Sequence, residues 1–173
     1  TPSFFFDAVG LRYPNQIMSS LIVMGVAGCG KSSLAGAVAQ AQGLPLIEGD
    51  DHHSAANRER MARGIALTDA DRKDWLDTLG RLLQAHPQGV VMTCSALKRA
   101  YREQLRAASP GLRFAFLDIT PAAAARRVAA RPSHFFSASL VDSQFATLQS
   151  PVGEPGVLRL DAELPLNILQ EQV

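Results

Sequence analysis

Cysteine is nearly missing from this 173-residue chain: Cys29 and Cys94 are the only two, and they do not form a metal-ligand spacing. An excess of charge is missing as well. Seventeen Lys and Arg face sixteen Asp and Glu, a net charge of +1, so no general affinity for nucleic acid or an anionic membrane is expected and any basic chemistry must be local. No apolar run is long enough to span a bilayer, and there is neither an internal repeat nor a low-complexity segment. What remains, 47% hydrophobic and 19% charged residues, is the composition of a soluble globular protein with one domain and its own core. Its first residues lack a pattern. Thr1–Ser20 begins without Met, Phe4-Phe5-Phe6 leads into no helical or strand period, and Met18 stands just before the first apolar strand. Residues 1–17 are therefore expected to be an N-terminal extension outside the fold, and 18–173 a single domain. A secretory signal is disfavoured, because no positively charged start or long apolar segment is present.

The most informative stretch is Leu21-Ile22-Val23-Met24-Gly25-Val26-Ala27-Gly28-Cys29-Gly30-Lys31-Ser32-Ser33. A short apolar run enters a glycine-rich turn, and Lys-Ser leaves it into a helical pattern. Gly25, four residues, then Gly30-Lys31-Ser32 fits the phosphate-binding loop G-x-x-x-x-G-K-[ST]. Gly25, Gly28 and Gly30 permit φ > 0 and a close approach to a polyanion. The amides of the loop, those of Val26, Ala27, Cys29 and Ser33 included, can turn inward on phosphate oxygens, and the helix N-terminus adds a positive dipole end. Lys31 is expected to reach the β- and γ-phosphates and the Ser32 hydroxyl to ligate Mg²⁺. ATP and Mg²⁺ are thus the expected cofactors. Such an enzyme belongs in the reducing, ATP-rich cytoplasm, with both cysteines as free thiols.

Beyond the loop, strands and helices alternate. Strands are predicted at Leu21–Met24, Leu44–Glu48, Val90–Thr93, Leu112–Ile119 and Val157–Leu160. Helices are predicted at Ser32–Gln42, Ala55–Arg63, Thr68 to near Pro87, Leu97–Ala108, Pro121–Ala130, Leu140–Leu148 and Leu166–Gln172, with Arg131–Ser139 irregular. Thr68-x-x-Asp71 is a capping-box start, and Trp75, Leu76, Leu79, Leu82 and Leu83 give the helix after it an apolar face. This order implies right-handed crossovers and an α/β fold, a parallel sheet with helices on both faces and the ligand beyond the strands' carboxyl ends.

The second strand ends in Glu48-Gly49-Asp50-Asp51-His52-His53. Asp50 is placed to accept the proton of an attacking hydroxyl, and Glu48 to hold a water on Mg²⁺. The plainer reading is a turn of helix-capping acids. Adjacent His52 and His53 rarely share one metal, so no structural metal is expected. Guanine-reading and switch motifs are missing, and the third strand ends in Thr93-Cys94-Ser95 without an acid. That leaves the small kinases, in which catalysis is mostly positioning and charge neutralisation. Cations for that purpose follow the third strand (Lys98, Arg102, Arg106) and the fourth (Arg126, Arg127, Arg131), with Lys98 and Arg102 on one helix face. For any one of them the plainer reading is a solvated surface charge.

From Leu21 onward the chain resembles the bacterial-type gluconate kinases. The resemblance is carried by the phosphate loop, Gly49-Asp50-x-x-His53, Asn57, Met61, Gly64, Leu67-Thr68-Asp69-x-Asp71-Arg72-x-x-Trp75-Leu76 and Cys94-Ser95-Ala96-Leu97-Lys98-x-x-Tyr101-Arg102-x-x-Leu105-Arg106. It continues in Arg127-x-x-x-Arg131-x-x-His134-Phe135-Phe136 and Leu140-x-x-Ser143-Gln144-Phe145-x-x-Leu148-Gln149-x-Pro151. It departs at Cys29, where Ser is frequent, and at His52, where an apolar residue is common. The resemblance implies a P-loop fold shared with shikimate and nucleoside monophosphate kinases: three α/β/α layers, a five-stranded parallel sheet and a mobile lid. It implies phosphorylation of D-gluconate to 6-phosphogluconate in carbohydrate-acid catabolism, and a homodimer.

Gluconate is an anion with many hydroxyls, so its site needs a cation and several polar groups. His53, Lys98, Arg102 and Arg106 are the candidates, Arg102 first for the carboxylate, with Asn57 and Gln144 for hydroxyls. Lys31, Asp50 and Arg131 are the expected catalytic group. Arg127 and Arg131 sit in the expected lid, where closure over ATP would exclude water. Trp75, Phe135 and Phe136 read as packing residues. The competing readings are a kinase for a related anion such as shikimate and a nucleotide-binding module without catalysis. The retained Lys31, Ser32 and Asp50 speak against the module.

Overall fold

The computed structural model describes residues 19–131 and 138–173 and, before them, the backbone of 5–6 and 12–13. Strands β1 (Phe5–Phe6) and β2 (Arg12–Tyr13) pair antiparallel as a separate two-residue ladder, which needs no side-chain period to form. The main sheet comprises β3 (Leu21–Met24), β4 (Leu46–Glu48), β5 (Val91–Thr93), β6 (Arg113–Asp118) and β7 (Val157–Asp161), all parallel, in the order β4-β5-β3-β6-β7. The first of these strands in the chain lies at the centre, between β5 and β6. Connections from it leave toward both edges, and a crevice opens at its carboxyl end.

Alternation along the strands builds two cores. Leu21 and Val23 of β3, Val91 of β5, and Ala115 and Leu117 of β6 face one layer. That layer holds α1 (Lys31–Gln42), α5 (Pro121–Ala129), α6 (Ala138–Thr147) and α7 (Leu166–Gln172). Ile22, Met24, Met92, Phe114 and Phe116 face the other layer, α3 (Asp69–Gln84) and α4 (Arg99–Ala108). Because strand side chains point alternately to opposite faces, a near-continuous apolar run is what a doubly covered parallel sheet requires. The short helix α2 (Ala55–Ala62) lies outside these cores, its Met61 packing with Leu67 and Leu140.

The predicted capping box forms: Asp71 N donates to Thr68 Oγ1 at 3.2 Å, and Thr68 N donates to Asp71 Oδ2 at 2.9 Å. Of the boundaries that differ from the sequence pattern, two have a clear local cause. The second predicted strand starts at Leu46 rather than Leu44, because Gly43 ends α1 at φ 64° and Leu44 N still donates to Ala39 O. Helix α4 starts at Arg99 rather than Leu97. Ala96 holds a φ of 47°, Leu97 O accepts from Gln149 N at 2.8 Å, and Gln149 Oε1 caps Arg99 N at 2.8 Å. A loop from far along the chain thereby takes the groups that would have formed the first helical turn.

Candidate active site

β3 delivers the chain into the glycine loop, and α1 leaves it. Gly25 has φ 146°, and a Cβ there would stand 2.7 Å from Cys29 Sγ and 2.9 Å from Leu117 O, so only glycine fits. Gly30 caps α1 without a side-chain hydrogen bond, and the first turn holds no acid. The helix therefore offers its free N–H groups and dipole end to an anion. Lys31 Nζ turns back to donate to Gly25 O at 3.0 Å and Val26 O at 3.1 Å. Ser32 Oγ donates to Glu48 Oε2 at 3.1 Å, and Thr93 Oγ1 donates to the same oxygen at 2.6 Å. Two oxygen donors expected at Mg²⁺ thus meet at the ends of β4 and α1.

Asp50 is set in the 3₁₀ turn Gly49–His52, which follows β4. Gly49 N donates to Thr93 Oγ1 at 3.1 Å, Trp75 Nε1 donates to Gly49 O at 2.8 Å, and any Cβ on Gly49 would collide with Thr93 O. The turn is therefore pinned to the sheet on one side and to α3 on the other. One cleft is lined by the loop residues Ala27, Gly28 and Gly30 together with Lys31, Ser32, Asp50, Val128 and Arg131. The expected catalytic group Lys31, Asp50 and Arg131 is brought to a single space. Burial pushes the Asp50 carboxyl up, but the His53 contact and the charges of Lys31 and Arg58 outweigh it, and the group lies below the ordinary carboxylate value.

Arg127 clamps the outside of the loop. Its Nη1 donates to Cys29 O at 3.2 Å and Gly28 O at 3.4 Å, and its Nη2 donates to Ala162 O at 2.8 Å. Gln144, expected at a substrate hydroxyl, lies instead on the loop: Ala27 N donates to its Oε1 at 2.6 Å. Helix α6 thereby touches the phosphate cradle. His134, Phe135 and Phe136 lie outside the described residues. His52 is exposed.

A second polar group lies between α3 and α4. Lys98 Nζ meets Asp69 at 2.9 Å and 3.2 Å, Tyr101 OH donates to Asp69, and Arg72 Nη1 donates to Tyr101 OH at 3.2 Å. Tyr101 and Lys98 hold the Asp69 carboxyl low, and Asp69 in turn raises the Lys98 ammonium. The Cys94 thiol, buried at the end of β5, is pushed up to about 12 by burial first; it also senses the charges of Asp50, Lys31 and Arg72. Arg72 was not singled out from the sequence, although it stands in the Leu67–Leu76 motif. It has no carboxylate partner within ion-pair distance among the described residues.

Three residues expected at the substrate are engaged elsewhere. Arg102 is fully buried in an ion pair with Glu154, Nε to Oε1 at 2.9 Å and Nη2 to Oε2 at 2.5 Å, and it donates further to Ala96 O and Gln149 O. Arg106 is held by Glu154 at 3.0 Å and Glu103 at 2.8 Å and lies over the Phe114 ring. Neither lines the cleft, because a buried guanidinium must be neutralised and Glu154 already does so. Asn57 is buried, and its Nδ2 donates to Asp71 O at 2.9 Å, tying α2 to α3.

A glycine loop at the end of a central parallel strand, with a lysine, a hydroxyl and a carboxylate around one cleft, defines a P-loop kinase domain. A family model described as an AAA domain matches residues 21–155. The gluconokinase of Gluconobacter oxydans is 42% identical over 157 residues, 88% of each chain. The thermoresistant gluconokinase of Escherichia coli is 39% identical over 149 residues, 84% of this chain and 85% of that one. The crystal structure of a gluconokinase from Sinorhizobium meliloti 1021 superposes with a TM-score of 0.84 at 42% identity, covering 91% of this chain and 90% of that one. The chain belongs to the gluconokinase family.

Proposed function

We propose that this protein transfers the γ-phosphoryl group of ATP to the terminal hydroxyl of D-gluconate, giving ADP and 6-phospho-D-gluconate. The observation that carries this reading is the convergence of Lys31, Asp50 and Arg131 on one cleft in a chain of this family. The loop amides from Gly25 to Ser33 and the α1 N-terminus receive the β- and γ-phosphates. Lys31 exchanges its carbonyl partners for phosphate oxygens, Arg127 keeps the loop in shape, and Arg131 adds charge at the reacting end. The gluconate hydroxyl oxygen forms a bond to the γ-phosphorus as the bond to the β,γ-bridging oxygen breaks. ADP leaves with that electron pair, and Asp50 takes the hydroxyl proton.

Ser32 and Glu48 fit a divalent cation, being hard oxygen donors already 3.1 Å apart. Mg²⁺ held there supplies charge neutralisation on the phosphates. With Arg102 and Arg106 engaged elsewhere, Arg72 is the cation we assign to the substrate carboxylate, with Lys98, which is paired with Asp69, exchanging that partner to assist it. Residues 18–173 make up the catalytic domain, acting as a cytoplasmic homodimer; light scattering at assay concentration checks the dimer.

The test is coupled ADP release with ATP and Mg²⁺ against a panel of sugar acids, shikimate and nucleoside monophosphates. Turnover led by gluconate is expected. Turnover of shikimate or a nucleotide without gluconate, or no turnover at all, overturns the reading.

A further inference from the structure

His53 reads from the sequence as a substrate ligand, but its surroundings are wrong for that. Its side chain is 3% exposed. The ring lies flat on Trp75, centroids 4.1 Å apart at 18°. Nε2 faces Asp50 Oδ1 at 3.6 Å, and His53 N closes the turn on Asp50 O at 3.3 Å. Nδ1 is buried with no hydrogen-bond partner.

These contacts fix the tautomer. A ring N–H buried without an acceptor is costlier than a bare ring nitrogen, which loses only a weak acceptor. The proton therefore sits on Nε2, toward the carboxylate, and Nδ1 is bare. Asp50 lines the cleft and keeps 41% of its side chain exposed, so a donor on Oδ1 leaves Oδ2 as the oxygen available to a ligand there. Trp75 is itself locked, with its indole N–H on Gly49 O.

We propose that His53 is a positioning residue: stacked on Trp75, its Nε2–H holds Oδ1 of Asp50 so that Oδ2 meets the acceptor hydroxyl. The 3.6 Å separation is longer than a hydrogen bond and shortens in the reactive complex, as separations at unliganded sites do. The inference rests on the kinase reading above, since it concerns where that reaction's proton acceptor points.

The experiment compares His53→Phe, which keeps a ring for Trp75 and removes the donor, with His53→Gln, whose side-chain amide restores a donor near the Nε2 position. His53→Phe should lower kcat about 10²-fold while both KM values stay within about twofold. His53→Gln should regain about tenfold of that loss. If His53→Phe does not fold, His53→Gln against Trp75→Phe carries the same test: both should lower kcat with KM unchanged. A raised gluconate KM at unchanged kcat would make His53 a substrate ligand and overturn the proposal, as would variants that match the parent. Long-range ¹H–¹⁵N correlation of the histidine rings in the parent protein gives a readout without turnover. A proton on Nε2 is expected, and one on Nδ1 overturns the assignment. Absence of gluconate turnover in the parent protein would instead strike the kinase reading and leave the ring assignment to the spectrum.

Discussion

At the scale of single residues, the site divides into groups that face the cleft and groups that are already engaged. Asp50 belongs to the first kind. Asp50→Asn keeps the shape and removes the proton acceptor, so kcat should fall about 10²-fold or more while ATP binding, read by fluorescence titration, stays nearly intact. Glu154 belongs to the second. Glu154→Gln leaves the Arg102 guanidinium, 0% exposed, without its carboxylate. That loss should cost about 3–5 kcal/mol in denaturant melts and leave the gluconate KM within about twofold. A pH dependence follows. The Arg102 hydrogen bond, with help from Arg106, holds the Glu154 carboxyl below its ordinary 4.5. A lowered carboxylate contributes stability in full above the unfolded value and loses it as pH falls through the native one. Parent stability should therefore slope downward below about 4.5, and the slope should be shallower in Glu154→Gln.

At the scale of elements, the helices serve as struts for the turn and the loop. α3 is the longest, and five of its residues are buried: Trp75, Leu76, Leu79, Gly80 and Leu83. Its start is fixed by the reciprocal Thr68 and Asp71 bonds, so Thr68→Ala should lower stability by about 1 kcal/mol in thermal or urea melts. α6 has a different task. Its Gln144 takes the Ala27 N–H, so Gln144→Ala should speed amide hydrogen exchange in the phosphate loop while global stability changes by about 1 kcal/mol or less. Loop exchange identical to that of the parent would remove the strut role. The capping box was legible in four consecutive residues, because its bonds close within one helical turn. Gln144 on Ala27 was not, because the two are 117 positions apart.

At the scale of the whole molecule, two apolar cores on either side of one parallel sheet bury both cysteines. The Cys94 thiol, pushed up to about 12, stays protonated, and Cys29 is 1% exposed within the loop. A thiol reagent should therefore find no reactive group in the native protein and two after unfolding, with labelling tracking global unfolding in urea. Rapid native labelling of one thiol would mean that the loop or the end of β5 opens locally.

The order of strands and helices and the phosphate loop followed from the sequence alone, because apolar period, glycine placement and caps act over a few neighbouring positions. Arginine roles did not. Arg102 and Arg72 are both cations on predicted helices, and neither neighbourhood says which is free for a ligand. The fold decided it by bringing Glu154 from 52 positions away onto Arg102, while no carboxylate at ion-pair distance meets Arg72 among the described residues. A charge is committed or available according to what folding places within a few ångströms of it, and linear spacing carries no record of that distance.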